Sequence, residues 1–225
     1  TEIIKTELAE LNQRFGDKRR TELLVGEVLS LEDEDLIEEE EIVITLTNNG
    51  YIKRLANNEF RTQRRGGRGV QGMGVHNDDF VKNLVSCSTH DTLLFFTNNG
   101  KVYRAKGYEI PEYGRTAKGI PIINLLGIDS SEKIQAIIAV TGEAQEGHYL
   151  FFTTRQGTVK RTTVTAFANI RSNGLIAIGL KEDDELVNVL VTDGQSNIII
   201  GTHDGYSVTF AEGAVRDMGR TASGV

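Results

Sequence analysis

Four stretches decide how this chain reads: IVITLTNNGYIKRL (42–55), LLFFTNNGKVYRA (93–105), YLFFTTRQGTVKRT (149–162) and NIIIGTHDGYSVTF (197–210). Each is an apolar, β-rich run, a short turn ending in Gly, and a second run that alternates apolar with polar residues. The aligned turn glycines are Gly50, Gly100, Gly157 and Gly205, spaced 50, 57 and 48 residues apart. Asn49-Gly50, Asn99-Gly100 and Asp204-Gly205 predict two-residue type I′ hairpins, whose turn residues both need positive φ. A hairpin recurring about every 50 residues is the sequence mark of a blade architecture. Two prolines in 225 residues leave the strands free to run unbroken. The expected fold is all-β, a propeller-like array of about four blades at residues 25–74, 75–124, 125–179 and 180–225. The chain stops just after the fourth repeated loop, so the last blade is expected to lack its final strand.

Outward from the hairpins, a second feature recurs. QRRGGRG (63–69), GRTAKG (114–119), IRSNG (170–174) and GRTASG (219–224) follow the four hairpins in turn. Gly lets backbone approach an anion closely, and Arg supplies a bidentate fork that is always charged. Gly-rich loops with arginine therefore point to phosphate, contacted through the backbone and without base readout. Arg54, Arg104 and Arg161 each lie four residues after a turn Gly, which places them on one face of equivalent strands. Thr209 interrupts that stripe in the fourth unit. The residues expected to contact DNA are Gln63, Arg64, Arg65, Gly66, Gly67, Arg68 and Gly69, with Arg54, Arg104, Arg115, Lys118, Lys160, Arg161, Arg171 and Arg220. Taken alone, QRRGGRG also fits a solvated loop or an RGG-type RNA-binding tract, but such tracts are long and repeated in disorder.

Net charge is −7, which by itself argues against nucleic acid. The distribution reverses that inference. Residues 1–41 hold 14 acidic and 5 basic side chains, whereas residues 42–225 hold 18 acidic and 20 basic. Local clustering makes the electrostatic footprint of a DNA-binding surface. The acidic run Glu32–Glu41 reads as a solvated linker or strand flank, with a DNA mimic competing for a basic surface as the alternative. Before it, residues 1–24 read as helix, because Ile3, Ile4, Leu8, Leu11 and Phe15 recur at helical spacing. No run of 18 apolar residues predicts a membrane span.

Other features carry less. The single Cys87 excludes an intramolecular disulfide and reads as a small buried hydrophobe. Gly67–Gly72 spells G-x-G-x-x-G without the strand and helix that a dinucleotide site needs. His76, His90, His148 and His203 are scattered, and Tyr51, Tyr103, Tyr149 and Tyr206 read as packing residues in or beside strands. The acidic LKEDDEL (180–186) reads as an inter-blade loop. No nucleophile–base pair stands out, and no catalytic or metal site is expected.

The sequence closely resembles one known family. All seven residues Gln63–Gly69 match the box that distinguishes the DNA gyrase A family from its topoisomerase IV paralogue. FGDKRRTEL (15–23) resembles the end of that family's helical tail, and the hairpin repeats resemble its C-terminal β-pinwheel. The resemblance implies a pinwheel usually of six blades, preceded here by a helical tail at 1–24. It implies a type IIA topoisomerase of two A and two B subunits that uses ATP to introduce negative supercoils. The pinwheel would wrap double-stranded DNA without sequence preference, and the box would close the ring between first and last blades. It further implies a bacterial, cytoplasmic, nucleoid-associated protein. ATP and magnesium would bind elsewhere in the intact enzyme, with no cofactor in this segment. Two rival readings are a topoisomerase IV C-terminal domain, against which the intact box argues, and a protein-interaction propeller, which the repeated basic loops disfavour.

Overall fold

A computed structural model describes residues 2–17, 33–57, 72–75, 78–141 and 147–225. The chain divides into two units, Thr1–Leu36 and Ile37–Val225. In the first, helix α1 spans Glu2–Phe15, and Gly16 closes it by donating its N–H to the Asn12 carbonyl at 2.8 Å. The apolar stripe predicted from the spacing is on this helix, and Ile3, Ile4, Leu8, Leu11 and Phe15 are all exposed.

The second unit is built from antiparallel hairpins. The four are β1 (Glu41–Thr47) with β2 (Tyr51–Ala56), β4 (Thr92–Thr97) with β5 (Lys101–Lys106), β8 (Tyr149–Thr154) with β9 (Val159–Thr163), and β12 (Asn197–Gly201) with β13 (Ser207–Ala211). Three outer strands, β3 (Val81–Ser88), β7 (Ile134–Val140) and β11 (Leu186–Thr192), pair with the first strand of the hairpin that precedes each. The all-β fold expected from the repeats is therefore the one observed, with the fourth sheet two-stranded among the described residues.

The turns differ from the expectation. Type I′ needs positive φ at Asn49, Asn99 and Asp204, yet Asp183 is the sole non-glycine with positive φ among the described residues. Instead, in the first two hairpins three residues separate the strands and the glycine alone is left-handed, with φ of +82° at Gly50 and +74° at Gly100. This is a turn followed by a left-handed glycine. A threonine three residues before each glycine governs the choice. The Thr47 carbonyl accepts from Gly50 N–H at 3.0 Å, and its hydroxyl accepts from Tyr51 N–H at 3.1 Å. Thr97, Thr154 and Thr202 repeat the hydroxyl bond. Asp79 and Asp184, each two residues before an outer strand, accept from the turn amides of Asn49 and Gln156. Burial alone would raise these carboxyls; the turn hydrogen bonds, with the Thr47 or Thr154 side chain foremost, outweigh it and hold them below the ordinary range.

Period-2 alternation explains how the sheets stack. In β4, Leu93 and Phe95 join Ile42, Ile44 and Ile52 of the first sheet, while Leu94 and Phe96 join Leu150 and Phe152 of the third. Phe151 and Val159 on the other face of the third sheet join Ile198 of the fourth. The middle sheets are thus buried on both faces, which is why LLFF and LFF read as continuous apolar runs.

The repeat in sequence is not the sheet in space. Strand β6 (Ile120–Pro121), which follows the second hairpin, pairs with β2 of the first sheet. Strand β10 (Leu175–Ile176), which follows the third hairpin, pairs with β5 of the second. Val225 likewise exchanges two backbone hydrogen bonds with Val159 of the third sheet, at 2.8 and 2.9 Å. Each of the first three sheets is completed from beyond the next hairpin, so neighbouring blades are stitched by main chain as well as by packing.

The acidic flank is ordered where it meets the first sheet. Thr89 donates its N–H to the Glu40 carbonyl and its hydroxyl to the Glu38 carbonyl, and Ser88 donates its hydroxyl to Glu39. The Glu38–Glu41 side chains are exposed, as expected for a strand flank.

Candidate nucleic-acid interface

The stitching is what positions the Arg–Gly loops. The loops at 114–119 and 170–174 lie just before the two residues that cross to the preceding sheet, and the loop at 219–224 lies just before Val225, which does the same. Gly119 has φ +78°, and a Cβ there would lie 2.3 Å from the Ile52 carbonyl oxygen. Gly224 has φ +94° and stands in the same relation to the Val159 oxygen, at 2.4 Å. These glycines dock the loop, a role distinct from the close anion approach expected from the sequence.

Beneath two of the loops sits a buried lysine. Lys53 is 0% exposed and donates from Nζ to the carbonyls of Gly114, Arg115 and Ala117, at 3.0, 2.7 and 2.9 Å. An ammonium has three protons to donate, and all three are used. Lys160, also 0% exposed, donates to the carbonyls of Arg220 and Ala177, with its Nζ 5.1 Å from the centre of the Phe152 ring. Burial lowers the Lys53 pKa, and burial, then the charge of Arg220, brings Lys160 down to about 8. Lys160 is therefore a correction to the expected DNA contacts: it faces the interior. The reason lies in the strand. Lys160 and Arg161 are adjacent, alternation sends adjacent side chains to opposite faces, and only one can look outward. Lys53, absent from the expected site, follows the same rule beside Arg54. The signal for both is the Lys-Arg pair at a fixed distance from the turn glycine.

The equivalent position in the second hairpin repeat is Tyr103, 2% exposed, which lies under Gly174 of the third loop. Its hydroxyl is 3.3 Å from Glu132, whose buried carboxylate also takes the Lys101 ammonium at 2.6 Å.

The strand arginines are less free than an exposed stripe requires. Arg54 has a side chain 19% exposed and pairs with Glu112 at 3.5 Å. Arg161 is half-buried, its guanidinium 4.3 Å from the centre of the Tyr149 ring. Both strands form a parallel bridge to the segment just before a loop, Arg54 to Glu112 and Arg161 to Asp217, and that segment covers the strand edge. Arg104 is exposed and donates to the Ala168 carbonyl at 3.3 Å. The stripe thus narrows to Arg104, and the loops carry the accessible charge. Arg115 and Arg171 are exposed, Arg220 is half-exposed, and Lys118 lies 3.7 Å over the Tyr51 ring. Gln63, Arg64, Arg65, Gly66, Gly67, Arg68 and Gly69 lie outside the described residues.

Neighbouring loops are linked through the residues that follow them. A Cβ on Gly74 would meet the Thr116 carbonyl oxygen at 2.2 Å, one on Gly127 the Ser172 oxygen at 3.6 Å, and one on Gly179 the Thr221 oxygen at 2.7 Å. Residues just beyond each loop therefore abut the next loop, and the loops form one series. Among the described residues no group of three or more His, Cys, Asp or Glu is placed to hold a metal ion. Cys87 is buried, and burial, then Asp91, pushes its thiol up to about 11. No helix among the described residues is long and apolar enough to cross a membrane.

The family model described as DNA gyrase C-terminal domain, beta-propeller, matches residues 41–88, 91–141, 148–193 and 196–225. The DNA gyrase A protein of Streptococcus pyogenes serotype M3 is 66% identical over 221 residues, 98% of this chain and 27% of that protein. That of Streptococcus pneumoniae R6 is 64% identical over 223 residues, 99% of this chain and again 27% of the relative. The chain thus spans about a quarter of the length of these relatives. Among solved structures, a topoisomerase IV C-terminal domain superposes with a TM-score of 0.70 at 30% identity, covering 84% of this chain and 57% of the other. A DNA gyrase A C-terminal domain superposes at 0.65 and 29% identity, covering 83% and 59%.

Proposed function

The chain belongs to the DNA gyrase C-terminal domain family, and we propose that it is the DNA-wrapping segment of a gyrase A protein. In this reading it acts within an ATP-dependent type IIA topoisomerase, beside gyrase B and a second copy of gyrase A, and enables negative supercoiling. It contributes no catalytic residue; ATP and magnesium bind elsewhere in the assembly. The compartment is the bacterial cytoplasm, at the nucleoid.

The observation that carries the proposal is the contiguous series of docked loops presenting Arg115, Arg171 and Arg220. Wrapping requires such a series. Smooth bending of 20–30 bp costs on the order of 1–6 kcal/mol, and phosphate contacts spread along the path must offset it. Both the gyrase and the topoisomerase IV domains share the fold, so the fold does not separate them. Gln63–Gly69 and the identity to gyrase A relatives favour gyrase. The accessible arginines disfavour a protein-interaction propeller.

The test is duplex binding at two salt concentrations. If Arg64, Arg65, Arg68, Arg104, Arg115, Arg171 and Arg220 each meet a phosphate, log K against log salt has a slope of about −6. Affinity then falls roughly 1,000- to 10,000-fold between 50 and 200 mM salt, equally for duplexes of unrelated sequence. Affinity unchanged by salt, or confined to one short sequence, contradicts the proposal.

A further inference from the structure

We propose that Lys53 and Lys160 are positioning residues for DNA wrapping: each buried ammonium binds the main-chain carbonyl of a loop arginine, Arg115 or Arg220, and so fixes the loop that carries it. The inference rests on the DNA-wrapping reading and deepens it. Neither lysine is exposed, so neither meets a phosphate itself.

Three observations carry it. The first is the shared target. Lys53 and Lys160 occupy the same place, three residues after a turn glycine, and each donates to the carbonyl of the arginine in the loop that crosses to its sheet. The second is a correlation within the chain. Both lysine-supported loops have the sequence GRTA-x-G, at 114–119 and 219–224. Where Tyr103 replaces the lysine, the loop crossing to that sheet is IRSNG, which packs Gly174 against the Tyr103 ring. Loop sequence and supporting residue change together. The third is cost. A buried ammonium carries a desolvation penalty that an apolar residue of similar volume would avoid, so core packing alone gives no reason for lysine here. Three carbonyls converging on Lys53 give one: they hold the loop backbone in a single geometry while the guanidinium of Arg115 stays exposed.

The experiment is a double-mutant cycle in the full-length protein, with Lys53→Met, Arg115→Ala and both together, repeated with Lys160→Met and Arg220→Ala. Duplex affinity is measured across salt, and circular dichroism monitors the sheets. We expect Lys53→Met to reduce the magnitude of the salt slope by about 0.9, as Arg115→Ala does, although Lys53 touches no phosphate. The double variant binds within about twofold of Arg115→Ala, because the lysine acts through that arginine. A purely structural lysine gives losses that multiply, and that outcome overturns the proposal. Wild-type affinity and slope in Lys53→Met, with Arg115→Ala impaired, overturns it while leaving the DNA-wrapping reading intact. Wild-type binding by Arg115→Ala and Arg220→Ala contradicts the assignment of these loops to DNA and takes the proposal with it. Loss of the β-sheet spectrum in both lysine variants also overturns it, since the lysines would then support the fold at large.

Discussion

Replacing Arg64, Arg65 and Arg68 with Ala is expected to abolish negative supercoiling by the intact enzyme, while ATP-dependent relaxation and poison-stabilised DNA cleavage persist. These three arginines stand within five residues of one another, and with Arg61 they make four arginines in residues 61–71, a stretch with no acidic residue. Three lost phosphate contacts reduce the magnitude of the salt slope by about 2.7, equivalent to about 500-fold in affinity at 0.1 M salt, or roughly 3.7 kcal/mol. That is comparable to the 1–6 kcal/mol estimated for bending 20–30 bp, so the wrap no longer holds. Cleavage and strand passage belong to residues outside this chain in the proposed assembly and do not depend on the bend. The triple variant should retain a β-rich circular dichroism spectrum. Supercoiling at the wild-type rate would show that the box does not drive wrapping. Loss of cleavage would show that wrapping and chemistry are not separable.

Gly119→Ala should destabilise the domain by roughly 2–4 kcal/mol, whereas Gly114→Ala, five residues away in the same loop, should change stability by no more than about 0.5 kcal/mol. Gly119 has φ +78°, where a Cβ costs about 1–2 kcal/mol by itself, and that Cβ would sit 2.3 Å from the Ile52 oxygen and 2.9 Å from its carbonyl carbon. Ile52 is in a strand paired on both sides and cannot move without breaking its register with Leu46 and Ile120. At Gly114 the same atom would meet nothing within 4 Å. Urea unfolding monitored by circular dichroism compares the two. Equal stabilities would mean that the crossing at Gly119 does not hold the blades together. Duplex affinity should fall for Gly119→Ala alone, because Arg115 and Lys118 lose their fixed platform.

The hairpin array is legible in the sequence because its signals are local. An apolar run, a turn glycine and an alternating run sit within about 14 residues, and repetition removes the ambiguity of any single one. The turn type is not legible from the turn dipeptide alone. Asn-Gly favours type I′, but Thr47 and Thr97 bond across their turns and select a three-residue loop instead. The crossing of β6 to the first sheet leaves no sequence signal either. A two-residue strand has no period, and the repeat does not say which neighbour receives it. Charge at a strand position suggests exposure, which is why Lys160 reads as a DNA contact; alternation against Arg161 is the signal that places it inside. That Arg115, Arg171 and Arg220 lie in loops is legible from the glycines around them, although Gly119, Gly174 and Gly224 dock those loops against the preceding sheet.

DNA topology reports whether this series of loops wraps the duplex. The domain is bound in increasing excess to relaxed circular DNA, a relaxing topoisomerase is added, and linking number is read after the protein is removed. Wrapping predicts a shift in linking number that grows with the ratio of protein to DNA until the DNA is saturated. An unchanged linking number on DNA shown to be saturated would mean that the loops bind DNA without bending it around the domain.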